Sequence, residues 1–246
     1  MTNEKAKVLF LDIETKPILA YVWRLWDQNI GLNQIVEPGG TICVGAKWMG
    51  DKETMFFSEW EHGHLGMIAA MHDLLMEADG VVTYNGDKFD LPKLNGNFVY
   101  HKLPPIPPLT SIDIYKTVRG LGLDSGKLDF VGPFLELGSK VKHEGFTLWT
   151  KTMAGDAKAQ DRMQKYCIQD VKLLEKVYKR LRPYVKNHPN LSLDVEKGGE
   201  CGACGGNHQQ KRGFRRTKHF KIQRLQCQDC GAWSDGVRRK FGAKSR

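Results

Sequence analysis

Apolar and polar residues in the first 190 positions follow two spacings, one typical of buried strands and one typical of an amphipathic helix. The runs Lys7–Leu11 and Val81–Tyr84 are short and almost wholly apolar, as expected for strands covered on both faces. From Met163 to Leu181, apolar residues recur at every third or fourth position, which predicts a helix with one buried face. A polar cluster adjoins each segment, so the pattern predicts acidic groups at the edge of an α/β core.

The first polar cluster, Asp12-Ile13-Glu14, comes directly after the run Lys7–Leu11. Since successive side chains of a strand point to opposite faces, the two carboxylates should share one face and Ile13 should lie on the other. Taken alone, an acidic pair after a strand is more often ordinary solvent-exposed sequence.

The second cluster follows Val81–Tyr84, turns through an Asn-Gly dipeptide suited to positive backbone φ angles, and contains Asp87 and Asp90. Asp90 is the preferred candidate, because it stands beside the apolar Phe89 at the predicted start of a helix, where the helix dipole favours a carboxylate. Asp87 is interpreted as a turn residue.

The third cluster lies on the predicted helix, where Tyr166 and Asp170 are one turn apart beside the apolar face. An ionised, unpaired carboxylate at a core boundary is costly, so Asp170 needs either a metal ion or a cationic partner. The lysines available on the same helix are Lys165, Lys172 and Lys176. Because carboxylates gathered from distant segments repel one another without a multivalent cation, the three clusters together favour a two-metal phosphodiesterase.

In order and spacing, Asp12-x-Glu14, Asn85-x-x-x-Phe89-Asp90 and Tyr166-x-x-x-Asp170 resemble the three exonuclease motifs of the DnaQ-like (DEDD) superfamily of 3'-to-5' exonucleases. The resemblance covers about residues 5–185. Lys165 stands where the histidine branch of that family has its general base, so the chain resembles the tyrosine branch, which includes the proofreading domains of family A and family B DNA polymerases and ribonuclease D. The Asp-Ile-Glu-Thr opening and the aromatic segment after it also resemble stand-alone bacteriophage exonucleases.

The resemblance implies a ribonuclease H-like, three-layer α/β fold for residues 1–190, with helices on both faces of a mixed central sheet. The strands expected in this sheet are Val8–Leu11, Thr41–Trp48, Glu53–Phe57, Val81–Tyr84 and Ser111–Ile114. The expected helices include Leu65–Ala78, Lys127–Leu137 and Ala157–Leu181. The proline-rich segment 103–108 is expected to be a stiff loop.

The resemblance also implies a catalytic set, namely Asp12, Glu14, Asp90, Tyr166 and Asp170. The four carboxylates would hold two Mg²⁺ or Mn²⁺ ions that activate water against the terminal phosphodiester, and the neutral tyrosine hydroxyl would orient that water. Candidates for substrate contact, each weighed against a solvated or packing role, are Thr15, Lys16, Trp23, Trp26, Asn85 and Lys88. The expected substrate is single-stranded DNA; the alternatives are an exoribonuclease and an inert nucleic-acid-binding protein.

Length and composition fit one sizeable core. The chain has 246 residues, of which 41% are hydrophobic, and a polymerase would not fit beside the nuclease domain, so we expect an enzyme that acts alone or as a subunit. No run approaches the ~20 apolar residues that span a bilayer, and the polar start does not resemble a secretion signal. We therefore expect a cytoplasmic protein (in the host, if phage-encoded), with replication or recombination proteins as candidate partners.

Charge and cysteines single out the end of the chain. Residues 191–246 contain 13 Lys and Arg against 5 Asp and Glu, which accounts for +8 of the net charge of +9. The same region contains Cys201-x-x-Cys204 and Cys227-x-x-Cys230, separated by 22 residues and each followed by glycine. This spacing is typical of a four-thiolate zinc site, and disulfides or a redox pair fit a reducing cytoplasm less well.

Between the cysteine pairs, residues 213–225 alternate basic and apolar side chains in places, which predicts a basic β-hairpin. We therefore expect residues 201–246 to form a zinc ribbon, joined to the nuclease domain by a linker of residues 191–200. One Zn²⁺ would supply folding free energy to a module with little core, and the basic surface would attract phosphate backbones. His208 and His219 are expected at the surface, because four thiolates complete the metal shell.

Overall fold

The computed structural model describes residues 6–191 and 200–241. The chain divides into two compact units, one formed by Lys7–Val177 and the other beginning at Tyr178. Most of the predicted linker, residues 191–200, lies outside the described residues. The domain boundary at residue 190 therefore stays a prediction.

The strands of the described residues follow the apolar runs of the sequence. In chain order they are β1 (Val8–Lys16), β2 (Leu19–Ala20), β3 (Ile35–Glu37), β4 (Gly40–Trp48), β5 (Met55–Ser58), β6 (Gly80–Thr83), β7 (Thr110–Asp113), β8 (Gln209–Arg216), β9 (Phe220–Cys227) and β10 (Trp233–Lys240). The first unit contains a five-stranded sheet in the order β5-β4-β1-β6-β7, and β2 pairs with β3. All the strands predicted for the central sheet are confirmed.

β1 lies at the centre of this sheet, antiparallel to β4 and parallel to β6. Its first four side chains are buried, which explains the unbroken apolar run, because a central strand is covered on both faces. The sheet is therefore mixed, and the fold is the ribonuclease H-like α/β architecture that the sequence predicts.

Helices of the described residues cover the sheet. They are α1 (Glu59–Glu77), α2 (Asp90–Tyr100), α3 (Ile114–Arg119), α4 (Leu128–Phe134), α5 (Phe146–Met153) and α6 (Ala157–Leu181), with short 3₁₀ turns at Leu32–Gln34 and Arg182–Tyr184. α6 has the predicted bounds. α1 begins earlier than predicted, because the Ser58 side chain caps it by accepting from Glu61 N, and Gly63, at φ 68°, kinks it. Within the described residues, every helix is too short or too polar to cross a bilayer.

Two apolar layers enclose the sheet. On one side, residues of β1 and β4 pack with α1 and α2, in a cluster that includes Leu11, Ile13, Val44, Met71 and Leu94. On the other side, residues of β4 pack with α5 and α6, in a cluster that includes Cys43, Leu148, Met163, Tyr166 and Cys167. Ile13 belongs to the first layer, so the side chains of Asp12 and Glu14 lie on the face toward α6, as strand alternation predicts.

The second unit contains a three-stranded antiparallel sheet in the order β10-β9-β8. β8 and β9 form the predicted basic hairpin. β10 was not predicted from the sequence, because a glycine and four charged residues interrupt any apolar alternation in Trp233–Lys240. The four cysteines lie together in this unit.

Candidate active site

Three carboxylates from two elements meet at the end of β1. Asp12 and Glu14 on β1 and Asp170 on α6 each place a carboxylate oxygen within 4.8 Å of the others. Asp170 is only 1% exposed, although it belongs to a surface helix. The structure therefore brings two of the three predicted acidic motifs close enough for one metal ion to contact all three carboxylates.

Gly45 permits this approach of α6 to the sheet. It pairs with Asp12 across β4 and β1, and a Cβ atom at Gly45 would stand 2.8 Å from Val171 Cγ2 and 3.0 Å from Cys167 Sγ. Since real Cβ atoms rarely come so close to other atoms, a larger residue would push α6 away from β1. Gly45 thus sets the distance between the carboxylates of the strand and the carboxylate of the helix.

Asp90 joins this group through the backbone of β1. It is the first residue of α2, as predicted, it is buried, and its Oδ1 accepts a hydrogen bond of 3.1 Å from Ile13 N. Ile13 stands between the two acidic residues of β1, so this bond fixes the second motif beside the first. Asp87 instead accepts from Ser111 and Lys116, in agreement with a turn role.

The Asp113 side chain stabilises the turn between β6 and α2 by accepting a hydrogen bond from its backbone. Asn85 has φ 68°, the left-handed region that asparagine tolerates better than most residues, and its N–H donates to Asp113 Oδ1 at 2.7 Å. Asp113 Oδ1 also accepts from Tyr115 N at the start of α3. Asp113 is a positioning residue for the motif that contains Asp90.

Burial raises the pKa values of all four carboxyl groups, and repulsion within the cluster raises those of Asp12 and Glu14 further. Burial raises the pKa of Asp12 well above its ordinary range, and Glu14, Asp90 and Asp170 raise it further. Burial, with the charge of Asp170, raises the pKa of Glu14 to about 8, and burial raises the pKa of Asp90 to about 7. Burial also raises the pKa of Asp170. Without a cation, this cluster cannot be fully ionised at neutral pH.

Lys140 supplies one cation, and the sequence analysis missed it. Its Nζ donates to Asp170 Oδ2 at 2.6 Å and to the Tyr166 hydroxyl at 3.0 Å. Burial lowers the pKa of Lys140, but Asp170 and Tyr166 raise it more, so its ammonium group stays charged. The alternative that Asp170 pairs with a lysine of its own helix is not what the structure shows, and Lys165 pairs with Asp161.

Tyr166 is held in place by aromatic rings as well as by Lys140. The ring centroid of His143 lies 4.9 Å from that of Tyr166, and the centroid of Trp149 lies 6.0 Å from it. Burial and the charges of Asp170 and Glu14 raise the pKa of the phenol. The Tyr166 hydroxyl is therefore neutral at pH 7 and keeps a proton to donate.

The carboxylate cluster fits divalent cations that prefer oxygen ligands. With all four carboxylates ionised and Lys140 protonated, its formal charge is −3. Asp170 Oδ1 is buried without a hydrogen-bond partner, as expected for an atom that a metal ion would complete. Carboxylate-rich sites of this kind suit Mg²⁺ and Mn²⁺.

The predicted substrate contacts lie at or near the surface. Thr15 and Lys16 end β1 after a bulge at Glu14, and Lys88 is exposed in the turn before α2. Trp23 is 94% exposed and Trp26 is 79% exposed, in an irregular segment between β2 and β3. The packing role weighed for these two tryptophans is therefore not what the structure shows, and their contact with a substrate stays a prediction.

The four cysteines of the second unit have the spacing of a tetrahedral zinc site. Their Sγ atoms lie within 4.8 Å of one another, with Cys201 3.7 Å from Cys230 and Cys204 3.7 Å from Cys227. A tetrahedron of Zn–S bonds of about 2.3 Å has S···S edges of about 3.8 Å. The thiols present therefore fit a structural Zn²⁺.

Metal binding has a testable consequence for stability. Because folding raises the pKa values of Glu14 and Asp90 to about 8 and about 7, the metal-free folded state binds protons that the unfolded state releases, and its stability falls as the pH rises from about 5 to about 8. Mg²⁺ bound by the cluster would compete with those protons. We expect 10 mM Mg²⁺ to raise the thermal midpoint by several degrees at pH 8 and by less at pH 6.

Calorimetry without chelator, so that any zinc is retained, measures this difference. Asp170→Asn is the matched control, because it keeps the volume of the side chain and removes one ligand charge, and it should reduce the shift at pH 8. Equal midpoints with and without Mg²⁺ at both pH values would mean that the cluster does not bind the ion.

Comparison with known proteins places the chain in a family. The chain is similar in fold to the family B DNA polymerase from the hyperthermophilic archaeon Pyrobaculum calidifontis, with a TM-score of 0.56, 16% sequence identity, and coverage of 73% of this chain but only 25% of the polymerase. At that identity the likeness shows the fold alone, and this chain matches about a quarter of the polymerase's length. No curated protein matches the sequence.

The model of the RNase H superfamily matches residues 31–182. This range includes Asp90, Lys140, Tyr166 and Asp170, and it begins after Asp12 and Glu14. Since the match covers more than half of the 246 residues, the chain belongs to the RNase H superfamily.

Proposed function

We propose that this protein is a metal-dependent 3'-to-5' exonuclease of the tyrosine branch of the DnaQ-like superfamily, acting on single-stranded DNA. The observation that carries the proposal is the convergence of Asp12, Glu14 and Asp170 within 4.8 Å, with Asp90 bonded to the same strand. Membership of the RNase H superfamily supports nuclease activity. The spacing of the three motifs supports the branch and the direction, and the aromatic segment after Glu14 supports the likeness to bacteriophage enzymes.

The carboxylates and Tyr166 would have different roles in the reaction. Asp12, Glu14, Asp90 and Asp170 would hold two Mg²⁺ or Mn²⁺ ions, which supply Lewis acidity and lower the pKa of water. The Tyr166 hydroxyl, fixed by Lys140 at 3.0 Å, orients the attacking water. The water oxygen bonds to the terminal phosphorus as the bond from phosphorus to the 3' oxygen breaks, so that a nucleoside 5'-monophosphate leaves and the shortened strand ends in a 3' hydroxyl.

Lys140 has two roles in this scheme. Its ammonium group fixes the position of the Tyr166 hydroxyl, and it places a positive charge 2.6 Å from Asp170 Oδ2, where it would help to stabilise negative charge on a phosphate bound at the cluster. Preorganised charge of this kind stabilises a transition state more than a ground state. Lys140→Met should therefore lower turnover more than it weakens substrate binding.

Substrate contacts would come from the residues around the cluster. Thr15, Lys16, Asn85 and Lys88 border the acidic motifs and can donate to phosphates. The exposed rings of Trp23 and Trp26 offer planes for unpaired bases, each worth about 1–3 kcal/mol when stacked. A strand with unpaired bases suits such rings, and this favours a single-stranded substrate over a duplex.

One assay tests the proposed class of enzyme. Purified protein is incubated with single-stranded DNA, duplex DNA and single-stranded RNA of the same sequence, each with Mg²⁺, Mn²⁺ or EDTA. We expect mononucleotides from single-stranded DNA, fewer from the duplex, and none with EDTA. Faster cleavage of RNA than of DNA would identify RNA as the substrate. If no substrate were cleaved, the protein would be a nucleic-acid-binding protein without nuclease activity.

Tyr166→Phe should slow the enzyme without abolishing its activity. Loss of the hydroxyl removes the group that orients water but leaves the carboxylates intact, so turnover should fall by less than the ~10²-fold typical of losing a general base. Single-turnover cleavage rates measure the effect. Tyr178→Phe, which removes a hydroxyl near the C-terminal end of the same helix, should keep full activity; an equally active Tyr166→Phe variant would make Tyr166 a structural residue.

A further inference from the structure

The sheet of the second unit has two distinct faces, which its register defines. Residues directly paired across neighbouring strands share a face, and β9 pairs Ile222 with Arg215 and Arg238, Arg224 with Asp235, and Gln226 with Trp233. We call this side the tryptophan face; its residues include Arg215, Phe220, Ile222, Arg224, Trp233, Asp235, Arg238 and Lys240. The opposite face carries Phe214 and four basic residues, Lys211, Arg216, Lys221 and Arg239.

An ion pair connects the two outer strands on the tryptophan face. Arg215 on β8 reaches over β9 to Asp235 on β10, with Nε 2.9 Å from Oδ1 and a terminal nitrogen 2.5 Å from Oδ2. Ile222, on the strand between them, is only 3% exposed. The bridge fixes the outer strands relative to each other and so holds the neighbouring side chains in place.

Trp233 and Arg224 form a pair suited to a nucleotide. The Trp233 side chain remains 52% exposed, and the guanidinium carbon of Arg224 lies 5.6 Å from its ring centroid. A cleft of about 900 Å³ opens here, with Arg182, Arg215, Arg224 and Trp233 in its lining. An exposed ring next to a cation offers a plane for a base and a charge for its phosphate.

The tryptophan face carries a positive charge that suits a polyanion, as does the opposite face, so its exposed aromatic rings, two rather than one, distinguish it from that face. Its four basic side chains, Arg215, Arg224, Arg238 and Lys240, stand against the single acid Asp235, which Arg215 and Arg238 already contact. The exposed ring of Phe220 lies six residues along β9 from the partner of Trp233, or about 20 Å at 3.3 Å per residue. Two rings with basic residues between them can follow a strand over several nucleotides.

We propose that the tryptophan face binds single-stranded nucleic acid, with a base stacked on Trp233 and phosphates held by Arg224, Arg238 and Lys240. This is a second binding site, formed wholly within the unit that begins at Tyr178. It deepens the proposed function, on which it rests for the identity of the strand. An acidic protein segment would satisfy the charges but would leave the exposed rings without a planar partner.

The opposite face offers a matched control. There Lys221 Nζ lies 4.3 Å from the ring centroid of Phe214, so each face has one aromatic ring paired with one cation. The test uses the full chain with Asp170→Asn, which should slow cleavage, without added Mg²⁺. It compares the double variant Trp233→Leu, Arg224→Gln with the double variant Phe214→Leu, Lys221→Gln. Each pair of substitutions removes one ring and one charge.

Fluorescence anisotropy with a labelled oligothymidylate measures affinity over a salt series, and zinc content checks that the sheet is intact. We expect the Trp233 and Arg224 variant to bind about tenfold or more weakly, with a log-log salt slope shallower by about 0.7. The Phe214 and Lys221 variant should stay within about twofold of the parent. Equal affinity for all three proteins, or equal loss in both variants, would overturn the proposal.

Failure of this proposal and failure of the proposed function are separable. If the wild-type protein cleaves DNA but the two variants bind it equally, the tryptophan face is not the binding site and the nuclease assignment stands. If the Trp233 and Arg224 variant alone loses binding while the wild-type protein cleaves nothing, the face is a binding site and the nuclease assignment falls.

Discussion

Asp12→Asn and Asp170→Asn should each lower metal-dependent cleavage by about 10²- to 10³-fold or more, the loss typical of removing one preorganised electrostatic contact at a reacting phosphate or carbonyl. Both substitutions keep the side-chain volume and remove one charge from the cluster. Cleavage rates under single-turnover conditions with saturating Mg²⁺ measure the effect.

Two features make this prediction specific. Because burial raises the pKa of Asp12 and of Asp170, replacing either carboxylate should not lower the thermal midpoint of the metal-free protein. Asp87→Asn is the matched control, since Asp87 lies in the same turn as Asp90 but pairs with Lys116, and it should stay active. Near-normal cleavage by both Asp12→Asn and Asp170→Asn would refute the assignment of the cluster.

Cys227→Ser should lose the zinc and unfold the second unit while the first unit stays folded. We expect the wild-type chain to carry one Zn²⁺, because the four thiols match a tetrahedral shell, and structural zinc contributes about 10–16 kcal/mol in comparable small modules. Cys227 is buried among the other cysteines, so serine cannot replace it as a soft ligand. Elemental analysis and limited proteolysis measure the two effects.

His219→Ala serves as the control for this variant. His219 is exposed, so the His219→Ala variant should still carry one zinc per chain. The prediction would be contradicted if wild-type protein purified under reducing conditions contained no zinc and its second unit still had an intact sheet. The second unit would then fold without the ion.

The sequence predicted the elements that a strong local pattern dictates. β1 was found from its apolar run, and α6 was found with both ends correct, because its apolar face repeats over many turns. α5 was missed, since Phe146–Met153 has only eight residues and only Leu148 and Thr152 are buried. Short helices of this kind depend on tertiary contacts more than on their own periodicity.

The candidate site was predictable only in part, for a similar reason. Asp12, Glu14, Asp90, Tyr166 and Asp170 belong to motifs whose order and spacing can be recognised in a sequence. Lys140 lies in a loop between α4 and α5, 30 residues before Asp170, and a single lysine in a polar loop has no distinguishing pattern. Gly45 gives no sign either, because its role appears only when α6 is packed against β4.

For Trp23 and Trp26, the sequence left open a packing role that the structure does not show. Their spacing of three residues fits a helix, which left packing as an alternative, yet this segment forms no helix and both rings are exposed. Spacing alone therefore says little where no longer pattern supports it. Contact of these rings with a substrate therefore stays a prediction.

The direction of digestion tests the central claim most directly. One batch of single-stranded DNA is labelled at the 5' end and another at the 3' end, and both are digested with Mg²⁺ by the wild-type protein and by Asp12→Asn. We predict that the 3' label is released at once as a mononucleotide, while the 5' label passes through a ladder of progressively shorter strands, and that Asp12→Asn does neither. Immediate release of the 5' label, or internal cuts with no ladder, would contradict a 3'-to-5' exonuclease built on these carboxylates.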